Sequence, residues 1–175
     1  MRIAVTGGSG KLGRHVVDRL RSSGHDVVNL ETDDFNADFT GSTVFARDGK
    51  RVAVFTGSEA SDAPRFDTLA TRQCCADHLE EQIFPEDSFG MEFVAVKTPL
   101  RSRLVEAAGW NVAVVPDEPE YWRVVASRDG TTVTTDLPAP HDRYVLGRGA
   151  SVIIDSERDF LLEATAPIAF TQIPA

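Results

Sequence analysis

The feature that most constrains this chain is a succession of short apolar segments in its second half, cut at near-regular intervals by Gly, Asp and Pro. Residues 121–127 (YWRVVAS), 131–135 (TTVTT), 144–146, 151–154, 160–164 and 168–172 each read as a strand. Alternating apolar and polar residues place one side of a strand in a core and the other in solvent. Arg128-Asp129-Gly130 between the first two predicts a β-hairpin. Several short strands at even spacing predict a β-sandwich or a related module.

Upstream the texture is less regular. Residues 43–46, 51–56 (RVAVFT) and 92–97 (EFVAVK) are strand candidates, with a turn at Asp48-Gly49-Lys50. Residues 56–65, rich in Gly, Ser, Asp and Pro, read as a loop, and 66–82 as partly helical. Residues 101–108 followed by 110–115 form a faint helix–strand unit.

The first residues follow another pattern. Ile3 to Val5 reads as a buried strand and Thr6-Gly7-Gly8-Ser9-Gly10 as a tight turn. From Lys11, Leu12, Val16, Val17 and Leu20 recur at helical spacing, Gly24 ends the helix, and 26–30 (DVVNL) is a second strand. In such a turn Gly7 and Gly10 let the backbone approach a pyrophosphate. Gly13 lets the helix pack closely on the strand. Ser9 is placed to donate to a phosphate or to cap the turn. Glu31, just past the second strand, is where a carboxylate would hold the ribose of NAD. TGGSGKLG in this setting resembles the start of the extended and atypical short-chain dehydrogenase/reductases. The resemblance implies an NAD(P)-binding start with Thr6, Gly7, Gly10, Lys11, Leu12, Gly13 and Glu31 as cofactor contacts. It covers only about residues 1–32. The family's Tyr-x-x-x-Lys pair is missing. Tyr121 is followed at that spacing by Val125 and Tyr144 by Arg148, and the three lysines are Lys11, Lys50 and Lys97. The reading leans away from an enzyme, with no catalytic residue assigned. No cofactor is expected for the main reading; NAD(P) belongs to the alternative.

The formal net charge of −9 makes nucleic acid an unfavourable partner, and no apolar run reaches the roughly 18 residues of a membrane span. The start lacks the apolar region of an export signal, which by itself points to the cytoplasm. Cys74 and Cys75, the only cysteines, are adjacent and cannot staple distant segments.

Other clusters have two readings each. Cys74, Cys75, Asp77, His78, Glu80 and Glu81 are rich in metal-ligand types. No second paired segment completes a tetrahedral site, so the stretch reads as a turn or short helix and no metal is assigned. Cys74 or Cys75 beside His78 is also the composition of a thiol–base pair. Trp110, Tyr121, Trp122 and Phe160 read as core or as a binding face. Asp117, Glu118 and Glu120, among prolines, read as a solvated acidic loop.

The stretches DFTGSTVFA, RVAVFTGSEASD, CCADHLEEQIFPEDSFGMEFVAV, EYWRVVASRDGTTVTT and FLLEATAPIAFTQ, over about residues 38–172, resemble the N-terminal domain of IgGFc-binding proteins and their bacterial relatives. The resemblance implies a β-rich, extracellular or surface-associated, non-enzymatic module with a protein or glycan partner. The loop GSEASD lacks the cysteine that members commonly carry, and the chain stops where the family usually continues. The expected organisation is a mainly β, sandwich-like module at 38–175, preceded by a short Rossmann-like β-α-β fragment at 1–34. A vestigial nucleotide-binding fragment fused to a recognition or adhesion module is the functional expectation. Oligomeric state is left open by the sequence.

Overall fold

The computed structural model describes residues 2–6, 8, 11–31, 39–49, 51–61, 77–111, 114 and 119–173. The chain divides into two units, Met1–Pro85 and Glu86–Ala175.

The first unit contains β1 (Arg2–Thr6), α1 (Lys11–Ser22), β2 (Asp26–Leu30), β3 (Val52–Ser61) and β4 (Asp77–Gln82). The sheet order is β2-β1-β3-β4. Strands β2 and β3 run parallel to β1 on its two sides, and β4 runs antiparallel to β3. Ile3, Val5 and Val27 form a small core with Val17 of α1, flanked by Leu20 and Phe55. The helix ends as its glycine predicts: Gly24 has φ +80, its N–H bonds Arg21 C=O, and the His25 N–H reaches back to Leu20 C=O.

Three expectations for this unit need correction. Residues 43–46 form no strand. Of the segment 56–65 read as a loop, 56–61 is instead the second half of β3, because β4 supplies ladder partners to Thr56, Gly57 and Ser58; residues 62–76, which include most of the partly helical stretch, lie outside the described residues. Of CCADHLEEQ, read as a turn or helix, Asp77–Gln82 is β4 itself. Among the described residues β4 is an edge strand, where an acidic sequence is tolerated, and pairing overrides a local preference that is weak for such residues. The turn at Asp48-Gly49 is present, both residues having left-handed backbone.

The second unit holds a short 3₁₀ turn (Glu86–Ser88), β5 (Gly90–Ala95), α2 (Arg101–Ala107), β6 (Glu120–Ala126), β7 (Thr131–Thr135), β8 (Arg143–Leu146), β9 (Ser151–Ser156) and β10 (Phe160–Ile173). The expected β6–β7 hairpin does not form. Strand β7 pairs with Leu162–Ala164 and β6 with Ile168–Ile173, so both lie along β10. Ile168 is matched with Ala126 on one side and Gly90 on the other, while Leu162 is matched with Thr135 and Phe93. Strands β6 and β7 therefore share one edge of β10 as two halves of a bent strand, and β5 occupies the other edge. Strands β9 and β8 follow β6 and β7 in the same way, their two registers differing by a single residue.

The bends coincide. Ser127, between β6 and β7, bonds Pro167 C=O through both its N–H and its hydroxyl, at the irregularity of β10. Gly130 and Gly149 supply the left-handed backbone that the neighbouring turns require. Three long bent antiparallel strands thus coil around one core of Trp122, Val124, Val133, Ile154, Phe160 and Leu162. Trp122 meets Phe160 edge-on at 4.9 Å, and Phe170 packs on Phe93 at the same centroid distance. Coiling brings the far ends together, where His141 Nε2 lies 3.1 Å from Asp155 Oδ1. Helix α2 is where the sequence places it and ends at Gly109 (φ +90), but Trp110, Asn111 and Val114 are not strand. The rest of that predicted strand, at 112, 113 and 115, lies outside the described residues.

Candidate functional site

At the glycine turn, the pairing of Thr6 with Leu30 sets the ends of β1 and β2 side by side, with Glu31 exposed one residue further on. Gly8 is buried, and its N–H donates to Asn29 Oδ1 at 3.0 Å. A Cβ on Gly8 would collide with that Asn29 amide and stand 2.9 Å from Val17 Cγ2. Gly8 therefore provides a close approach of turn, helix and strand, and Gly13 lies half-buried in the first turn of α1 with Lys11 and Leu12. One N–H of the turn is already committed to Asn29. Gly7, Ser9 and Gly10 lie outside the described residues.

Cys74 and Cys75 also lie outside them, whereas Asp77, His78, Glu80 and Glu81 belong to β4. Asp117 and Glu118 are outside as well. Glu120 is not the solvated residue the sequence predicts. It opens β6, is only 2% exposed, and its Oε1 accepts bonds from the Thr98 N–H (2.8 Å) and the Thr98 hydroxyl. Its Oε2 accepts from Gln172 Nε2, which also donates to Val96 C=O at 3.1 Å. The carboxylate ties the segment after β5 to β6 and β10. An acidic side chain is accommodated in a buried place because both of its oxygens have hydrogen-bond donors.

Of the four aromatics weighed as a binding face, Tyr121, Trp122 and Phe160 are buried and Trp110 is 70% exposed. The Tyr144 hydroxyl lies 2.5 Å from His141 Nδ1, which completes a chain of contacts to Asp155. Burial, then the charges of Asp155 and Asp142, push the Tyr144 hydroxyl pKa above its ordinary value, so the phenol keeps its proton.

The surface that sequence reasoning missed is the outer face of β5 and β10. Val94 and Leu161 are directly matched across the pair and are 67% and 55% exposed. Val96, next on the same face, is 56% exposed. Two positions the other way, Glu92 faces Glu163. A shallow depression of about 340 Å³ lies over these residues, lined by Glu92, Phe93, Val94, Leu161, Leu162 and Glu163. The opposite face of the same strands, with Ala95, Phe160 and Leu162, is in the core. The signal was present in EFVAVK and FLLEA: apolar residues at consecutive positions supply both faces of a strand, although one core needs only one.

The second unit is a coiled antiparallel β-module with a filled core and an apolar patch on its outer face. The chain belongs to the IgGFc binding protein family, whose family model matches residues 19–175. The match begins inside α1, well before the residue-38 boundary read from the sequence, and so takes in β2 as well. No curated protein and no solved structure matches the chain. No helix among the described residues is long and apolar enough to cross a membrane.

Proposed function

We propose that this chain is a non-enzymatic, adhesion-type recognition module that binds a protein partner through its second unit. Family membership supports a protein partner, and the Fc part of immunoglobulin G, which the family's name specifies, is the first to test. The observation that carries the reading is the Val94–Leu161 pair, two large apolar side chains held side by side in solvent on a sheet whose core is already filled. Apolar surface of this kind gains from being covered, by roughly 25 cal/mol per Å² removed from water. Calorimetric titration of the chain with Fc, with Fab as the control, tests it. Saturable Fc binding weakened by Val94→Asp is the expected result; Fc binding indifferent to that substitution contradicts the assignment of this surface, and no Fc binding removes Fc as the partner.

For the first unit we propose a structural role with weak or no NAD(P) binding. The parallel β1–α1–β2 crossover supports descent from a nucleotide-binding unit with a Rossmann-like start. The commitment of the Gly8 N–H to Asn29 supports loss of the anion site. Titration with NAD and NADP, alongside Gly10→Val, tests this. Micromolar binding abolished by the substitution would make nucleotide binding the better reading.

A further inference from the structure

Strand β5 pairs with β10 on one side, and among the described residues no strand pairs with its other edge. In an antiparallel pair, alternate N–H and C=O groups of an edge strand point outward and offer a template for another strand. Natural edges are guarded by Lys, Pro, bulges or bends. The opposite edge of this sheet has such guards: it is broken by the turn between β8 and β9 and carries Arg143 and Asp155. Residues 90–95 read GMEFVA, with neither Lys nor Pro and a single charge, Glu92; the register shift of the β5–β10 pair falls opposite Gly90–Glu92, which leaves Glu92–Ala95 as the regular length of this edge.

That charge faces another of the same sign. Directly opposed like charges destabilise a strand pair, and among the described residues neither Glu92 nor Glu163 forms an ion pair. Beside them on the same face stand Val94 and Leu161. A strand laid along β5 would set one side chain next to Glu92 and, two positions away on the same face, another next to Val94. A cation at the first position relieves the repulsion between the carboxylates. An apolar group at the second covers the exposed pair.

We propose that the free edge of β5 accepts an extended segment of a partner protein by strand addition, with Lys or Arg beside Glu92 and an apolar residue two positions away beside Val94. This deepens the recognition reading and rests on it. Charge selects the occupant. A second copy of this chain would bring another net charge of −9 and another Glu92, so a basic foreign segment is favoured.

The probe is a short peptide of alternating valine and threonine with one central lysine; a second peptide replaces the lysine by glutamate. Both are titrated into the isotopically labelled full chain, with amide shifts and hydrogen exchange followed by magnetic resonance. The lysine peptide is expected to slow exchange at residues 90–95 and to bind more tightly than the glutamate peptide. Glu92→Lys should weaken the lysine peptide by about tenfold at low salt and favour the glutamate peptide. Glu92 is exposed on the outer face, so the substitution leaves the core intact, and unchanged resonances of Trp122 verify folding. Unaffected β5 amides, or a preference that ignores the charge at residue 92, overturn the proposal, as does concentration-dependent dimerisation that protects the same amides. Fc binding untouched by Glu92→Lys removes this docking mode and leaves recognition standing. Peptide docking on β5 without any Fc binding supports the mode and removes Fc as the partner.

Discussion

Replacing Glu120 by alanine should be among the most destabilising changes outside the apolar core. The carboxylate is 2% exposed and receives three donors: the Thr98 N–H, the Thr98 hydroxyl and Gln172 Nε2. A hydrogen bond to a charged group contributes about 1.5–3 kcal/mol, and an orphaned buried donor costs about 1–3. The Thr98 and Gln172 side chains are themselves exposed and turn to water when released, which leaves mainly the Thr98 N–H without a partner. The expected loss is about 2–4 kcal/mol for Glu120→Ala. Glu120→Gln should cost less, about 1–2 kcal/mol, because its carbonyl still accepts from Thr98 while its new amide opposes the Gln172 donor. Urea unfolding followed by tryptophan fluorescence measures both, with an unchanged m-value showing that the same surface is exposed. A Glu120→Ala variant within about 0.5 kcal/mol of the parent chain would show that this hub is not holding the segment after β5.

Three further outcomes follow from the geometry. Trp122→Ala removes a fully buried indole packed edge-on against Phe160, and equilibrium unfolding should show a loss of about 3–5 kcal/mol. Gly8→Val forces a side chain into Asn29 and Val17, so amide exchange in β1, α1 and β2 should accelerate, while Ala at exposed Arg14 of α1 should leave that exchange unchanged. Asp136 is held below its ordinary value of 3.8, first by the Leu161 N–H and also by Arg158. A depressed carboxylate contributes stability that is present above its unfolded pKa and lost as pH falls through its folded one. Asp136→Asn should therefore flatten the decline in stability below pH 3.8, read from unfolding midpoints along an acid series.

What the sequence made legible was mostly local. Gly24 and Gly109 marked helix ends because only glycine takes the left-handed backbone there at no cost. The alternation in YWRVVAS and TTVTT marked strands. Partnership was not legible: Arg128-Asp129-Gly130 looks the same whether it closes a hairpin or bends one long strand beside β10, and only the distant irregularity near Pro167 distinguishes them. DHLEEQ lacks β-forming side chains and becomes β4 because β3 offers it a ladder. Glu120 looked like a surface acid because its donors, Thr98 and Gln172, come from distant parts of the chain. In the candidate docking surface, Val94 and Leu161 were read only as strand residues. Their exposure depends on which face coils inward.

The most direct test compares amide hydrogen exchange across the full chain, free and saturated with the lysine peptide or with Fc. Docking on β5 should add protection concentrated at residues 90–95, with Leu161 and Glu163 following and residues 2–31 unchanged. Protection centred on the glycine turn and α1, with β5 untouched, would contradict it.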